Sequence, residues 1–198
     1  MTVTLSPGGP ALDDNHEIAD AVRTILGAIG EDPNRDGLKD TPERVARMYA
    51  EVFGGLEEDP ATVLSTTFDQ PHDEMIIVRD IPFYSMCEHH LMPFVGRADV
   101  AYIPSDRVVG LSKIARLVDI LSRRPQIQER FTCLIADYIE DVLEPRGVAA
   151  RVEAEHMCMT MRGIKKPGSV MVTTITRGTF SNNDATRAEF FSVIGSRR

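Results

Sequence analysis

The sequence predicts an α+β fold, with an N-terminal helical hairpin followed by an antiparallel four-stranded sheet carrying two helices on one face. Three observations lead there. Apolar residues recur at three- and four-residue spacing as far as Phe53. Strand-like runs rich in β-branched residues take over near residue 74. Two helical patterns then stand between a first pair of strand-like runs and a last pair, which is the order of helices segregated against an antiparallel sheet.

Each element has its own signal. Residues 1–13 are rich in Pro, Gly, Ser and Thr and read as a flexible arm. From Asp14 onward, Ile18, Ala21, Val22, Ile25, Leu26 and Ile29 mark one helix face, and EDPNRDGLKD breaks it. Thr41 before Pro42 reads as an N-cap and first-turn pair. Val45, Met48, Tyr49, Val52 and Phe53 give the second helix its apolar side, and Gly54-Gly55 ends it. Residues 14–72 are thus expected to be an N-terminal helical region and 73–198 a second domain. In the second domain EMIIVRDIPF is strand-like, and GRADVAYIP alternates until Pro104. Ser112 is placed to cap a helix bearing Ile114, Leu117, Val118 and Leu121. After Arg124-Pro125 a longer helix shows Ile127, Phe131, Leu134, Ile135, Tyr138, Ile139 and Val142, and Gly147 closes it. VAARVEAEHMCMTM and SVMVTTITRGTF read as strands, followed by a short helix over 188–193. A sheet of this kind has open edges, and edge-to-edge assembly of several subunits is one way to cover them.

Bulk properties narrow the function. A chain of 198 residues with 42% hydrophobic content can bury a sizeable core. Its net charge of −8 argues against a general nucleic-acid or membrane-surface binder, so an anionic substrate would need local Arg and Lys clusters. No apolar run approaches the ~20 residues that cross a bilayer. MTVTLSPGGPALDD lacks the basic and apolar segments of a secretory signal, and three cysteines suggest no disulfide framework. The expected setting is a reducing cytoplasm, with thiols in the core, on a metal or in catalysis.

Two short stretches concentrate the chemistry. SMCEHHLM (85–92) holds Ser85, Cys87, Glu88, His89 and His90, and Cys87-x-x-His90 has chelate spacing. Farther on, His156-x-Cys158 is a second pair. If the strand continues, both face one way, with Thr160 and Arg162 along the same ridge. A lone cysteine is most often a small buried hydrophobe. Here, however, two of three cysteines and three of five histidines fall in the two stretches, which favours a metal. Thiolate and imidazole suit zinc. A catalytic site keeps three protein ligands and one open position, and the surplus histidines could then serve as general acid and base. The rivals are a metal-independent nucleophilic Cys87 with His89 or His156 as base, and a non-catalytic module with structural zinc. Cys133 reads as core, and His16 and His72 as solvated. Ser112, Lys113 and Arg116 crowd the first turns of a helix, a place that favours phosphate. Arg162, Lys165 and Lys166 add positive charge, although solvated surface bases are the simpler reading for the two lysines. Gln128 and Glu129 could hold a guanine edge or simply line a helix face.

Taken together, SMCEHHLMPFVGRADVAYIP, VGLSKIARLVDILSRRPQIQER and EAEHMCMTMRGIKKPGS, with DGLKDTPERVARMY upstream, resemble GTP cyclohydrolase I from about residue 17 to residue 190. The resemblance implies a tunnelling (T-) fold domain and a homodecamer of two pentamers with active sites at subunit interfaces. It implies conversion of GTP and water to formate and 7,8-dihydroneopterin triphosphate, the entry to pterins. It implies one Zn2+ per subunit on Cys87, His90 and Cys158, with His89 and His156 as unligated acid–base histidines. Glu129, with Gln128 nearby, would hold the guanine, and Ser112, Lys113, Arg116 and Arg162 the ribose-triphosphate side. Ser112 would also carry protons, and Arg44 would reach in from a neighbouring subunit, with Arg47 close by as its alternative. Whether a feedback ligand or regulatory protein acts on the enzyme stays open.

Overall fold

The structure, a computed structural model, describes residues 16–196. The arm expected over 1–13 lies outside the described residues. Contacts divide the chain into two units, Met1–Glu58 and Asp59–Arg198. The division falls earlier than the boundary drawn after residue 72, because the short helix that follows Glu58 packs with the second unit.

The first unit holds α1 (His16–Ala28) and α2 (Thr41–Phe53), packed against each other, and a 3-10 turn at Gly54–Leu56. The α1 face differs from the one expected, since Ala19 is buried there while Ala21, Ile25 and Ile29 are exposed. Thr41 is already helical. Asp40 occupies the cap position without a side-chain cap bond, and Pro42 sits in the first turn, where its missing N–H costs nothing.

The second unit opens with α3 (Pro60–Val63), capped by the Asp59 carboxylate, which accepts from Ala61 N at 3.0 Å. Its strands are β1 (Thr67–Phe68), β2 (Ile76–Cys87), β3 (Met92–Ile103), β4 (Val108–Val109), β5 (Pro125–Gln126), β6 (Gly147–His156) and β7 (Val170–Gly178). Its remaining helices are α4 (Leu111–Ser122), α5 (Gln128–Leu143), α6 (Met157–Thr160), α7 (Thr179–Asn182) and α8 (Asp184–Gly195). The main sheet has the order β5-β2-β3-β6-β7, and β1 and β4 make a separate two-stranded sheet. The four long strands are antiparallel as expected. The sheet is nevertheless five-stranded and mixed, because β5 pairs parallel to β2 through Met86↔Pro125 and Cys87↔Gln126. Two residues are too few to show a period.

The core lies between α4, α5 and one sheet face. Phe83, Phe94, Ala98, Val100, Val148, Val152, Leu117, Leu121, Phe131, Ile135 and Ile139 are all in that cluster. The spacing of Phe131, Leu134, Ile135 and Ile139 puts them on one side of α5, as their periodicity requires. Helices are not confined to that face, in contrast to the expectation. Ala101, Ile103 and Ala149 point to the other side, where Phe180 of α7 and Phe190 and Ile194 of α8 cover them. Exposed Phe191 and Val193 on α8 break the amphipathic stripe that would have announced this second layer.

Two helix ends also differ from expectation. Gly110 takes the cap position of α4, with Ser112 inside the first turn and making no cap bond. The left-handed Glu144 (φ 45°) ends α5, while Gly147 begins β6. Among the described residues no helix is long and apolar enough to cross a membrane.

Candidate metal centre

SMCEHHLM is a hairpin. Cys87 ends β2, residues 88–91 form the turn and Met92 begins β3, with Cys87 and Met92 paired. Within the turn, Leu91 is left-handed (φ 48°) and donates its N–H to Cys87 O at 2.8 Å. Glu88 N donates to Gln126 O at 3.0 Å, tying the turn to β5. The Glu88 carboxylate also accepts two bonds from Arg130 of α5, at 2.6 and 2.9 Å. That guanidinium holds the Glu88 carboxyl below the usual range. Ser85, one of the candidate groups by sequence, is buried and its hydroxyl has no hydrogen-bond partner.

The second stretch folds differently from the continuous strand expected. β6 stops at His156, and Cys158 lies in the single helical turn α6. His156 and Cys158 therefore do not share a strand face, and Thr160 and Arg162 do not continue one. The turn brings Cys158 to the hairpin instead. One ligand atom each from Cys87, His90 and Cys158 lie within 4.8 Å of one another. Cys87 is buried and Cys158 half-buried. Burial raises the Cys158 thiol pKa, and the adjacent Cys87 raises it further. Two crowded sulfurs cannot both ionise cheaply, and a divalent cation between them removes that conflict. Two thiols and an imidazole are donors that suit zinc.

His89 and His156 are not members of that group of three. His89 is exposed, and its Nδ1 lies 3.9 Å from Cys87 Sγ. His156 stands opposite Phe94 in the β3–β6 register, and the two rings stack at 4.5 Å and 3°. Burial lowers the His156 pKa, and the negative charge of Glu129 partly offsets that shift. Gln128 is only 1% exposed, and its side-chain oxygen lies 2.9 Å from His156 Nε2. The same amide donates toward Val152 O and Met171 O at 3.1 and 3.0 Å. Gln128 is thus committed to protein partners, and its exposed neighbour Glu129 is the one left open to solvent.

Arg162 lies in an exposed loop and meets His90 Nε2 through Nη1 at 3.0 Å. Because a guanidinium only donates, His90 Nε2 accepts here. Ser112 and Arg116 are exposed and Lys113 half-buried at the start of α4, with no hydrogen bond or ion pair to the cysteine–histidine group. Lys165 and Lys166 are exposed, as are His16 and His72, and Cys133 is half-buried, less enclosed than a core residue. Arg44 belongs to the first unit, where it faces Asp40 at 3.6 Å. Sequence reasoning missed Arg130, Phe94, Thr132 and Thr173. Only Thr132, four residues after Gln128 on one helix face, carried a usable signal.

The family description "GTP cyclohydrolase I" matches residues 18–195. The chain is similar to the GTP cyclohydrolase 1 of Geobacillus kaustophilus (strain HTA426), at 63% identity over 179 residues, covering 90% of this chain and 95% of that protein. It is similar to the GTP cyclohydrolase 1 of Carboxydothermus hydrogenoformans at 60% identity over 183 residues, covering 92% and 95%. Among solved structures, an archaeosine synthase QueF-Like in the apo form aligns with TM-score 0.46 and 15% identity over 55% of this chain and 97% of that one, too slight a likeness to bear on activity. The two stretches that bring Cys87, His90 and Cys158 together lie inside the matched region, and the chain belongs to the GTP cyclohydrolase I family.

Proposed function

We propose that this chain converts GTP and water to formate and 7,8-dihydroneopterin triphosphate at a zinc centre formed by Cys87, His90 and Cys158. The observation that supports it most is the convergence of those three donors within 4.8 Å of one another, with His89 Nδ1 3.9 Å from Cys87 Sγ. Zinc, one per subunit, would supply Lewis acidity and lower the pKa of water at the attacked carbon.

The chain's own residues account for the other tasks. Glu129, exposed at the first turn of α5, offers a carboxylate able to accept two N–H bonds from a guanine edge. His156, its pKa lowered by burial, is suited to exchange a proton with the purine ring as it opens. His89 is the second proton carrier, and the Ser112 hydroxyl serves the later rearrangement of the ribose. Lys113 and Arg116 receive the triphosphate at the start of α4, a 12-residue helix whose first N–H groups add to their attraction. Arg162 contributes from the loop, and Arg44 from a neighbouring subunit. The second unit is read as a tunnelling fold whose exposed β7 edge is covered in a decamer of two pentamers, in a reducing cytoplasm. Nucleophilic catalysis by Cys87 is disfavoured, since that thiol is buried.

The test is incubation of the zinc-loaded protein with GTP. Formate and a pterin chromophore should appear together and be lost in Cys158→Ala. Full turnover after chelation would refute the zinc reading, and a stable adduct at Cys87 would establish its nucleophilic rival.

A further inference from the structure

Behind His156 lies a buried polar chain whose hydrogen-bond directions are fixed by what each atom can do. Thr132 Oγ1 donates its only proton to Gln128 O at 2.8 Å. Thr132 and Thr173 hydroxyls meet at 2.6 Å, so Thr173 must be the donor in that pair. Thr173 Oγ1 then accepts from Gln128 Nε2 at 3.2 Å. Gln128 Nε2 also faces two carbonyl oxygens, which only accept, and this fixes the orientation of the amide without ambiguity. Gln128 Oε1 is therefore the atom toward His156, and it too only accepts. His156 Nε2 must carry the proton of that 2.9 Å bond. The Phe94 ring, stacked 4.5 Å away and 3° from parallel, holds the imidazole plane.

We infer that Gln128, its amide held by Val152 O, Met171 O and Thr173, is a positioning residue that keeps the His156 proton on Nε2, making Nδ1 the atom that exchanges protons. The inference rests on the proposed role of His156 and assigns Gln128 to that histidine in place of the guanine. A ring with its lone pair on the wrong nitrogen presents a donor where an acceptor is needed, and an unlocked amide would allow that state.

The test is magic-angle-spinning NMR of zinc-loaded protein labelled with 13C,15N-histidine, above neutral pH, with the His156 signal assigned by its disappearance in His156→Asn. Wild type should show His156 with a protonated Nε2. Gln128→Met removes the acceptor and should give a mixture of tautomers. Its kcat should fall on the order of tenfold to a hundredfold, with KM for GTP within about twofold. Gln128→Leu also removes the acceptor and provides the same reading should Gln128→Met fail to fold. A protonated Nδ1 in wild type would overturn the inference, as would a Gln128→Met protein with raised KM and intact kcat. Absence of any turnover in wild type would count against the functional reading, while the tautomer measurement would still decide this one.

Discussion

Replacing Arg130 with glutamine tests whether the turn carrying His90 is held in place by charge from α5. Arg130 grips both oxygens of Glu88, at 2.6 and 2.9 Å, and each side chain is about a third exposed. Exposed pairs contribute roughly 0.2–1 kcal/mol, and a bidentate, half-buried pair belongs at the upper end, so the global cost should be about 1 kcal/mol. Glu88 N remains bonded to Gln126 O, and the hairpin should stay folded. The larger effect should fall on the metal. Contacts that orient a ligand are worth about 10–100-fold in metal affinity. Arg130 acts on His90 only through the turn backbone, which points to about tenfold. Competition with a chromogenic chelator measures the zinc affinity, and urea unfolding of the metal-free protein measures the stability. Glu88→Gln should reproduce both changes. Zinc affinity within about twofold of wild type in both variants would refute the reasoning, because the turn would then be set by its backbone bonds alone.

Two further outcomes follow from packing and from burial. At Gly96 an added Cβ would stand 2.0 Å from the Glu153 carbonyl oxygen and 2.7 Å from Ala154 Cβ, so β3 and β6 must part. Gly96→Ala should cost on the order of 3 kcal/mol, read as a lower urea midpoint, and a change under about 0.5 kcal/mol would contradict that close approach. Burial raises the Tyr102 pKa above its ordinary 10.0, opposed by the bond it accepts from Val109 N at 3.1 Å. The folded state therefore favours the neutral phenol. Its contribution to stability is complete below pH 10.0 and is lost as pH rises through the higher folded value. Tyr102→Phe should lose less stability than wild type between about pH 9 and about pH 11, beyond a constant offset for the unpaired Val109 N–H, and parallel losses would contradict this.

The long elements were legible because their signals are local and periodic. The stripe from Phe131 to Ile139 and the alternation through Val100 and Tyr102 each report which side meets the core. The two-residue β5 and the weakly patterned α8 escaped, since one is too short for a period and the other buries only Phe190 and Ile194. The donor set was legible for a different reason, the clustering of scarce residue types. Its geometry was not. Strand alternation joined His156 to Cys158 on one face, whereas the chain turns into α6 after His156 and carries Cys158 to the hairpin by another route. Arg130 and Thr173 could not be picked out, because an arginine on a helix and a threonine in a β-branched run look like surface and strand until a fold sets them against Glu88 and Gln128.

The adjacent histidines offer the most direct test of the account. Zinc content and formate release from GTP should be measured side by side in His89→Ala and His90→Ala. His90, within the 4.8 Å cluster, should be required for both, so that its variant binds far less than the expected one zinc per subunit and releases no formate. His89→Ala should retain its zinc and lose rate. Equal zinc loss in the two variants, or a His89→Ala enzyme of undiminished rate, would contradict the division between ligand and proton carrier on which the account rests.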